Sequence, residues 1–541
     1  MIALFCHSAF VHKLTLNVNI FDFRRSKKQK TEQNFFIFIK KVYISPLKKR
    51  TVYPSFFSGH ILINQGKVII LDTNILNGKK HIHFIGIGGS GMYPLAQILH
   101  SQGYYLTGSD NNETETLDAV RKMGIPVFIG QRAENIKGAD LIVHTAAIMA
   151  DNPELVAARA SGVPVLERAD LLGIVTSWYD NAICVSGTHG KTSTTSMITQ
   201  ILFTAGVDLS AYIGGKLPCI GGSGVAGKSD IMVCESCEFE DHFLKFFPDI
   251  SVILNIDADH LDYFGTLENI IKSFHKFNEN TSKCIIINGS DENSMKSLEG
   301  ISGKEIITFG KDSSCDYYPE NVKHENGLLT TYDAMYKGEK LGTVTLHVAG
   351  IHNVLNSLAA VAAARYVGVD FGFIQKGLED FRGAKRRFEK LGFEKGITVV
   401  DDYAHHPTEL EATLNAAMEM NFNHVWAIFQ PFTFSRTKLL LDDFARVLQI
   451  PDHAVLTDIM GSREKNTYGI FTRNLAEKIP DCIWFPQDET AEWTDERKYA
   501  NFEQICDYVC EHAKEGDLVI TLGCGDAYKI AKMILKKLSE E

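Results

Sequence analysis

From His81 onward, short apolar runs alternate with longer stretches whose apolar positions recur at helical spacing. The first runs are 81–85, 104–107, 126–129, 140–145 and 163–166; further along come 182–186, 231–234, 252–256, 398–400, 426–429 and 517–522. Apolar runs of this length that do not alternate predict strands covered on both faces. Strands separated by helical stretches, such as 92–102, the residues after Lys191 and those from Gly350, predict parallel sheets and an α/β fold. Residues 1–79 read differently. They are rich in Phe, Ile, Lys and Asn, sustain no amphipathic period, and carry basic clusters at Arg24-Arg25, Lys27-Lys28 and Lys48-Lys49-Arg50. No methionine stands between Met1 and Met92. The segment therefore reads as translated upstream sequence with a start near Val68 or Leu71, a transit peptide being the alternative, and it is assigned no fold.

Composition narrows the class. A length of 541 residues predicts about three or four domains. The formal net charge of −11 argues against a nucleic-acid-binding surface. No apolar run approaches the ~18 residues of a membrane span. Eleven cysteines, an odd number in so long a chain, do not read as a disulfide framework, and a reducing cytoplasm fits better.

Two glycine-rich loops carry the candidate chemistry. The run Ala182–Ser186 leads into Gly187-Thr188-His189-Gly190-Lys191-Thr192-Ser193 and then a helix. Strand, loop and helix in that order point backbone N–H groups and a helix N-terminus at an anion. Lys191 is placed to reach outer phosphates and the Thr192 hydroxyl to ligate Mg²⁺. The spacing departs from the standard phosphate loop, because Val185 stands where the first glycine is expected. The other loop, Gly86-Ile87-Gly88-Gly89-Ser90-Gly91, follows a strand and opens a helix. Asp110 follows about 20 positions later, as in dinucleotide-binding folds. This loop alone leaves an NAD-dependent oxidoreductase open. Glu235 ends the run Ile231–Cys234, a position that suits Mg²⁺ beside a phosphate loop. Glu238, Glu240 and Asp241 read as a solvated acidic turn.

The short form Ser186–Thr192 resembles the ATP loop of the Mur ligase family, and Ile85–Met92 is similar to that family's UDP-sugar loop. The likeness runs from about residue 80 to the C-terminus. It includes Asp151-Asn152-Pro153-Glu154, Asn255-Ile256-Asp257-Ala258-Asp259-His260, Asn353 with Asn356, Gly383–Glu389, Asp401–Glu409, Gln430–Thr437 and Gly523–Asp526. The resemblance implies three domains: a Rossmann-like UDP-sugar domain (80–177), a P-loop ATPase-like central domain (178–381) and a Rossmann-like C-terminal domain (382–541). It implies ATP and Mg²⁺ as cofactors, and ligation of L-alanine to UDP-N-acetylmuramate through an acyl phosphate in peptidoglycan precursor synthesis. The chain would be a cytoplasmic monomer or dimer, with no nucleic-acid partner and no membrane insertion.

Site residues follow from the same likeness. Gly86, Gly88, Gly89, Ser90, Gly91 and Asp110 would hold the UDP-sugar. Residues Gly187 to Ser193, Asn353, Asn356 and Arg386 would hold ATP. Thr192 and Glu235 would bind Mg²⁺, His260 a second Mg²⁺, and Tyr403, His405 and Arg436 the amino acid. Lys191, Glu235, His260 and Arg436 would act in catalysis. His275 stands where sister ligases place a carbamoylated lysine, so that modification is not carried over. Phe432 stands where the family usually has histidine, which leaves the amino-acid preference open. A sister ligase attaching another amino acid or a peptide, and an inactive nucleotide-binding paralogue, are the alternatives.

Overall fold

Two segments either side of Gln65-Gly66 pair as antiparallel strands, β1 (Gly59–Asn64) with β2 (Lys67–Asp72), in register Gly59↔Asp72. Here the structure corrects the assignment of no fold to all of 1–79. Two β-branched runs around a glycine turn are themselves a hairpin signal, outweighed in the sequence by the unusual composition around them. The computed structural model describes residues 59–64, 67–325, 329–348, 350–461, 464–485 and 495–540. All of these belong to one unit, Gly59–Glu541.

The remaining strands form three sheets. The first is five-stranded and parallel, in the order β5-β4-β3-β6-β7: Val127–Ile129, Tyr105–Asp110, His81–Ile85, Leu141–His144 and Val165–Glu167. Beneath its glycine loop lies a closed polar network. The buried Glu154 pairs with His83 at 2.7 Å and accepts from Ser109 Oγ at 2.6 Å. Glu154 belongs to the Asp-Asn-Pro-Glu segment, whose Asn152 caps the helix Pro153–Ala160.

The central sheet has ten strands in the order β10-β9-β11-β8-β12-β13-β14-β15-β16-β17. Its middle strands are β8 (Asn181–Ser186), flanked by β11 (Ile231–Glu235) and β12 (Ile250–Ile253), all parallel. β9 (Ser210–Leu217) continues on one side, with β10 (Gly222–Val225) antiparallel at that edge. On the other side come β13 (Cys284–Asn288) and β14 (Glu305–Phe309), then the meander β15 (Tyr317–Glu325), β16 (Leu329–Tyr336) and β17 (Glu339–Leu346). The β16–β17 turn uses Lys337 (φ 49°) and Gly338 (φ 87°), the paired positive φ values of a tight hairpin turn. β12 stops at Ile253, short of the expected Ile256, because Asn255 leaves the ladder to bond the phosphate loop.

The third sheet is β18-β19-β23-β20-β21-β22, parallel except for the edge strand β18. These strands are Glu389–Glu394, Ile397–Asp402, Leu518–Leu522, Val425–Phe429, His453–Leu456 and Ile483–Trp484. In both larger sheets the parallel strands send their C-terminal ends towards one edge, where open α/β sheets bind ligands.

Candidate active site

At the end of β8 the chain turns through Gly187 (φ 143°) and Gly190 (φ 85°) before the helix Lys191–Thr204. Only glycine fits at Gly190: a Cβ there would take up left-handed strain and lie 2.6 Å from Asn356 Oδ1. The same contact shows that the Asn353/Asn356 pair on the helix Ile351–Tyr366 lies directly against the phosphate loop. Asn255 clamps the loop from the β12 side, accepting from the His189 N–H at 2.8 Å and donating to the His189 carbonyl at 3.0 Å. Thr188 Oγ1 accepts from the Asp257 N–H at 2.8 Å. The loop is thus fixed before any ligand contact.

Lys191 Nζ donates to the Thr188 carbonyl at 2.9 Å and pairs with Glu238 at 3.1 Å. Burial disfavours its charge, but Glu238 and the neighbouring acids more than reverse this and raise its pKa. The solvated acidic turn is therefore corrected. Glu238 is 2% exposed, and Asp241 is buried, accepting from Tyr263 at 3.0 Å and from Ser273 Oγ; Glu240 alone projects outward. Glu235, at the C-terminal end of β11, accepts from Thr192 Oγ1 at 2.9 Å and from the Gly214 N–H at 2.6 Å. His260 has a left-handed backbone (φ 52°) and its ring lies 4.7 Å from that of Phe239. Non-glycine residues in that region store strain, which is common at functional sites.

A cavity of about 450 Å³ joins these groups to the third sheet. Of the residues given site roles above, 188–193, Glu235, His260, Asn353, Asn356 and His405 line it, together with Asp259, Arg387 and Glu409, which belong to the family-like segments but carry no assigned role there. Arg386 (φ 62°) lies elsewhere: its guanidinium holds Asp401 at 2.9 Å and the Gly523 carbonyl at 2.7 Å, and covers the Tyr403 and Tyr528 rings. Its neighbour Arg387 is the arginine at the cavity. Tyr403 packs edge-on against His405, with ring centroids 5.6 Å apart. Among the described residues no carboxylate lies within ion-pairing distance of Arg436. Its charge is felt nonetheless. Burial lowers the pKa of His405 and His406, and Arg436 adds to the effect. His275 bonds the Ser297 carbonyl, away from the cavity.

The other glycine loop forms a separate station. Gly86 (φ 85°) and Ile87 donate to the Ser109 carbonyl at 2.8 and 3.0 Å. Asp110 accepts from the Gly88 N–H at 3.0 Å and from the N–H of Asn111 at 2.8 Å, so its carboxylate shapes the loop. Gly91 leaves room for Arg168, whose guanidinium bonds the hydroxyl of Tyr212 on β9 and so ties this loop to the central sheet. Ser223 Oγ reaches the Ser90 carbonyl across the same junction at 3.1 Å.

His189 is held between two carboxylates. Its Nε2 lies 3.5 Å from Asp257 and its Nδ1 3.9 Å from Glu409, with Lys191 and His406 also nearby. Burial lowers its pKa, but Asp257 and Glu409 prevail and raise it to about 9. With a folded value above the unfolded one of about 6.5, the stabilisation is complete below about pH 6.5 and is lost as pH rises through about 9. Scanning calorimetry of the wild type and His189→Asn across that range should show a stability difference that closes at the alkaline end. A gap independent of pH would rule out a charged imidazole.

Comparison with known proteins covers the stretches of chain that build this cavity. Three family descriptions match: "Mur ligase family, catalytic domain" over residues 81–179, "Mur ligase middle domain" over 185–364 and "Mur ligase, glutamate ligase domain" over 386–525. The chain is 42% identical to the UDP-N-acetylmuramate–L-alanine ligase of Acetivibrio thermocellus, over 86% of this chain and 97% of that one. It is 44% identical to the protein of the same name from Agathobacter rectalis, over 84% and 98%. Its structure is similar to that of UDP-N-acetylmuramate–alanine ligase from Thermotoga maritima, with a TM-score of 0.71 at 28% identity over 85% of this chain and 99% of that chain. A murein peptide ligase from Psychrobacter arcticus follows with a TM-score of 0.61 at 26% identity, over 85% and 99%. The chain belongs to the Mur ligase family.

Proposed function

We propose that the chain is an ATP-dependent carbon–nitrogen ligase that joins L-alanine to the lactyl carboxylate of UDP-N-acetylmuramate, a step in peptidoglycan precursor synthesis. Relatives of that name match at 42–44% identity over nearly their full length, whereas the murein peptide ligase matches at 26%. The structural observation that carries the reading is a single cavity. In it the phosphate loop, Glu235 and His260 of the central sheet meet His405 and Glu409 of the third. An NAD-dependent oxidoreductase would leave all of these without a role.

The roles we assign follow the family resemblance, and the cavity supports those of the residues that line it. Lys191 engages the outer phosphates, Asn353 and Asn356 the adenine side, and Gly86, Gly88, Gly89, Ser90, Gly91 and Asp110 the UDP-sugar loop. Tyr403, His405 and Arg436 hold the amino acid. Arg386 supports Tyr403 and Asp401, and Arg387 faces the nucleotide. Thr192, Glu235 and His260 would hold Mg²⁺. The fit is good for an ion completed by phosphates and water: Thr192 and Glu235 lie side by side, and Mg²⁺ takes few protein ligands. Among the described residues no group of three His, Cys, Asp or Glu side chains forms a complete protein cage. When bound, Mg²⁺ would offset the charge that keeps carboxylate and triphosphate apart.

The γ-phosphoryl group passes to the substrate carboxylate, the amino group attacks the acyl carbon, and phosphate leaves as the amide forms. Positioning and charge carry this chemistry, and no protein nucleophile is required. We place the domain divisions at 177/178 and 381/382, with closure about residues 381–387, where Lys385 N–H bonds the Lys216 carbonyl at 3.0 Å. No helix among the described residues is long and apolar enough to cross a membrane. With nucleotide substrates, a cytoplasmic site of action is our reading. Phosphate release from ATP with UDP-N-acetylmuramate, screened across amino acids, tests the proposal. L-alanine should be the best acceptor; release only with a peptide, or none at all, would overturn it.

A further inference from the structure

One carboxylate touches both halves of the cavity. Glu409 lies in the first turn of the helix Pro407–Met418, behind β19. Its Oε1 faces His189 Nδ1 of the phosphate loop at 3.9 Å. Its Oε2 accepts from the backbone N–H of His405 at 3.1 Å and of His406 at 3.4 Å, and lies 3.2 Å from His405 Nδ1. His189 cannot drift to follow it, because Asn255 bonds both sides of its peptide and Asp257 holds the far edge of the ring. Around Glu409 the remaining charges are Arg387, Asp402 and His406.

The electrostatics give this contact a direction. A triphosphate seated in the loop would bring negative charge towards Glu409, and without a cation between them the two would repel. The imidazolium of His189 sits where the loop meets the carboxylate, so it offsets that repulsion locally, beside the charge that Lys191 and Mg²⁺ would supply. Docking of Glu409 in turn sets the backbone of His405, beside Tyr403 and within the field of Arg436.

We propose, on the basis of the ligase reading above, that Glu409 is a positioning residue and that the His189–Glu409 pair couples occupancy of the phosphate loop to affinity for the amino acid. Nucleotide binding stabilises the docked Glu409, docked Glu409 orders His405, and the amino-acid site gains affinity. By linkage the amino acid tightens nucleotide binding by the same factor.

The test is an equilibrium measurement. Calorimetric titration of L-alanine into enzyme saturated with UDP-N-acetylmuramate is performed with and without adenylyl imidodiphosphate and Mg²⁺, and the ratio of the two Kd values is the coupling. The wild type should bind alanine more tightly with the nucleotide analogue present. Glu409→Gln keeps an acceptor for the helix cap but removes the charge, and His189→Asn removes the cation from the other side. Each should shrink the ratio at least fivefold, and the double variant should lose no more than either single one. His189→Asn carries the test by itself if Glu409→Gln fails to fold. A wild-type ratio of one, a ratio preserved in the single variants, or losses that multiply in the double variant would overturn the coupling. A wild type that neither binds alanine nor releases phosphate with it strikes the ligase reading instead, so the two failures are distinct.

Discussion

Lys191→Ala is expected to cut ligation at least about a hundredfold while UDP-sugar affinity stays within about twofold of wild type. A cation aimed at the transferring phosphoryl group contributes on the order of 3 kcal/mol or more to the transition state. UDP-sugar affinity should survive because the other glycine loop belongs to a different sheet, joined to the central one through Arg168, Tyr212, Ser90 and Ser223 and not through Lys191. Loss of Lys191 also leaves Glu238 buried without its cation, so a lower melting temperature should accompany the kinetic loss. Phosphate release and calorimetry with UDP-N-acetylmuramate read the two effects separately. If UDP-sugar affinity fell together with activity, the two phosphate stations would not be independent.

Arg436→Lys should raise the KM for the amino acid at least tenfold, about 1.4 kcal/mol, with little change in the KM for ATP. An α-carboxylate bound by guanidinium receives two parallel donors that an ammonium cannot reproduce. Arg436 has no carboxylate of this chain within pairing distance among the described residues, and its charge acts on His405 and Asp259. The segment that carries it is held firmly: Thr433 takes a left-handed φ of 64°, its N–H donates to Met460, and Glu464 bonds both the N–H and the hydroxyl of Ser435. Phe432 bridges to Met460 in the same turn. Phe432→His should therefore shift the preference among alanine, serine and glycine without abolishing turnover. Steady-state kinetics with each amino acid checks both variants. Unchanged amino-acid kinetics in Arg436→Lys would mean that the carboxylate is held elsewhere.

Local grammar was legible in the sequence, and long-range pairing was not. Gly187 to Ser193 reads as a phosphate loop from its place between an apolar run and a helix, despite its non-standard spacing, and Glu235 is visible as an acid closing an apolar run. Asn353 and Asn356 share a helix face by their spacing. That Asn356 presses on Gly190 depends on which helix packs behind which strand, and helical periodicity does not encode that. Glu238 looked solvated because a run of acids usually is, and only the fold places Lys191 over it. In sequence Asn255 is nothing more than an amide inside the apolar run 252–256, and its clamp on the loop appears only in the fold. The His189–Glu409 contact joins residues from different sheets, and neither local pattern signals it. Arg386 and Arg387 are adjacent and chemically identical in sequence. The left-handed turn at Arg386 decides which of them faces the cavity.

The central claim is that the substrate carboxylate takes the phosphoryl group before the amide forms. UDP-N-acetylmuramate labelled with ¹⁸O at both carboxylate oxygens, turned over with ATP and L-alanine, tests this directly by mass spectrometry of the products. The expected result is one labelled oxygen in the inorganic phosphate and one retained in the amide. Unlabelled phosphate alongside a labelled amide, or no amide at all, would contradict it.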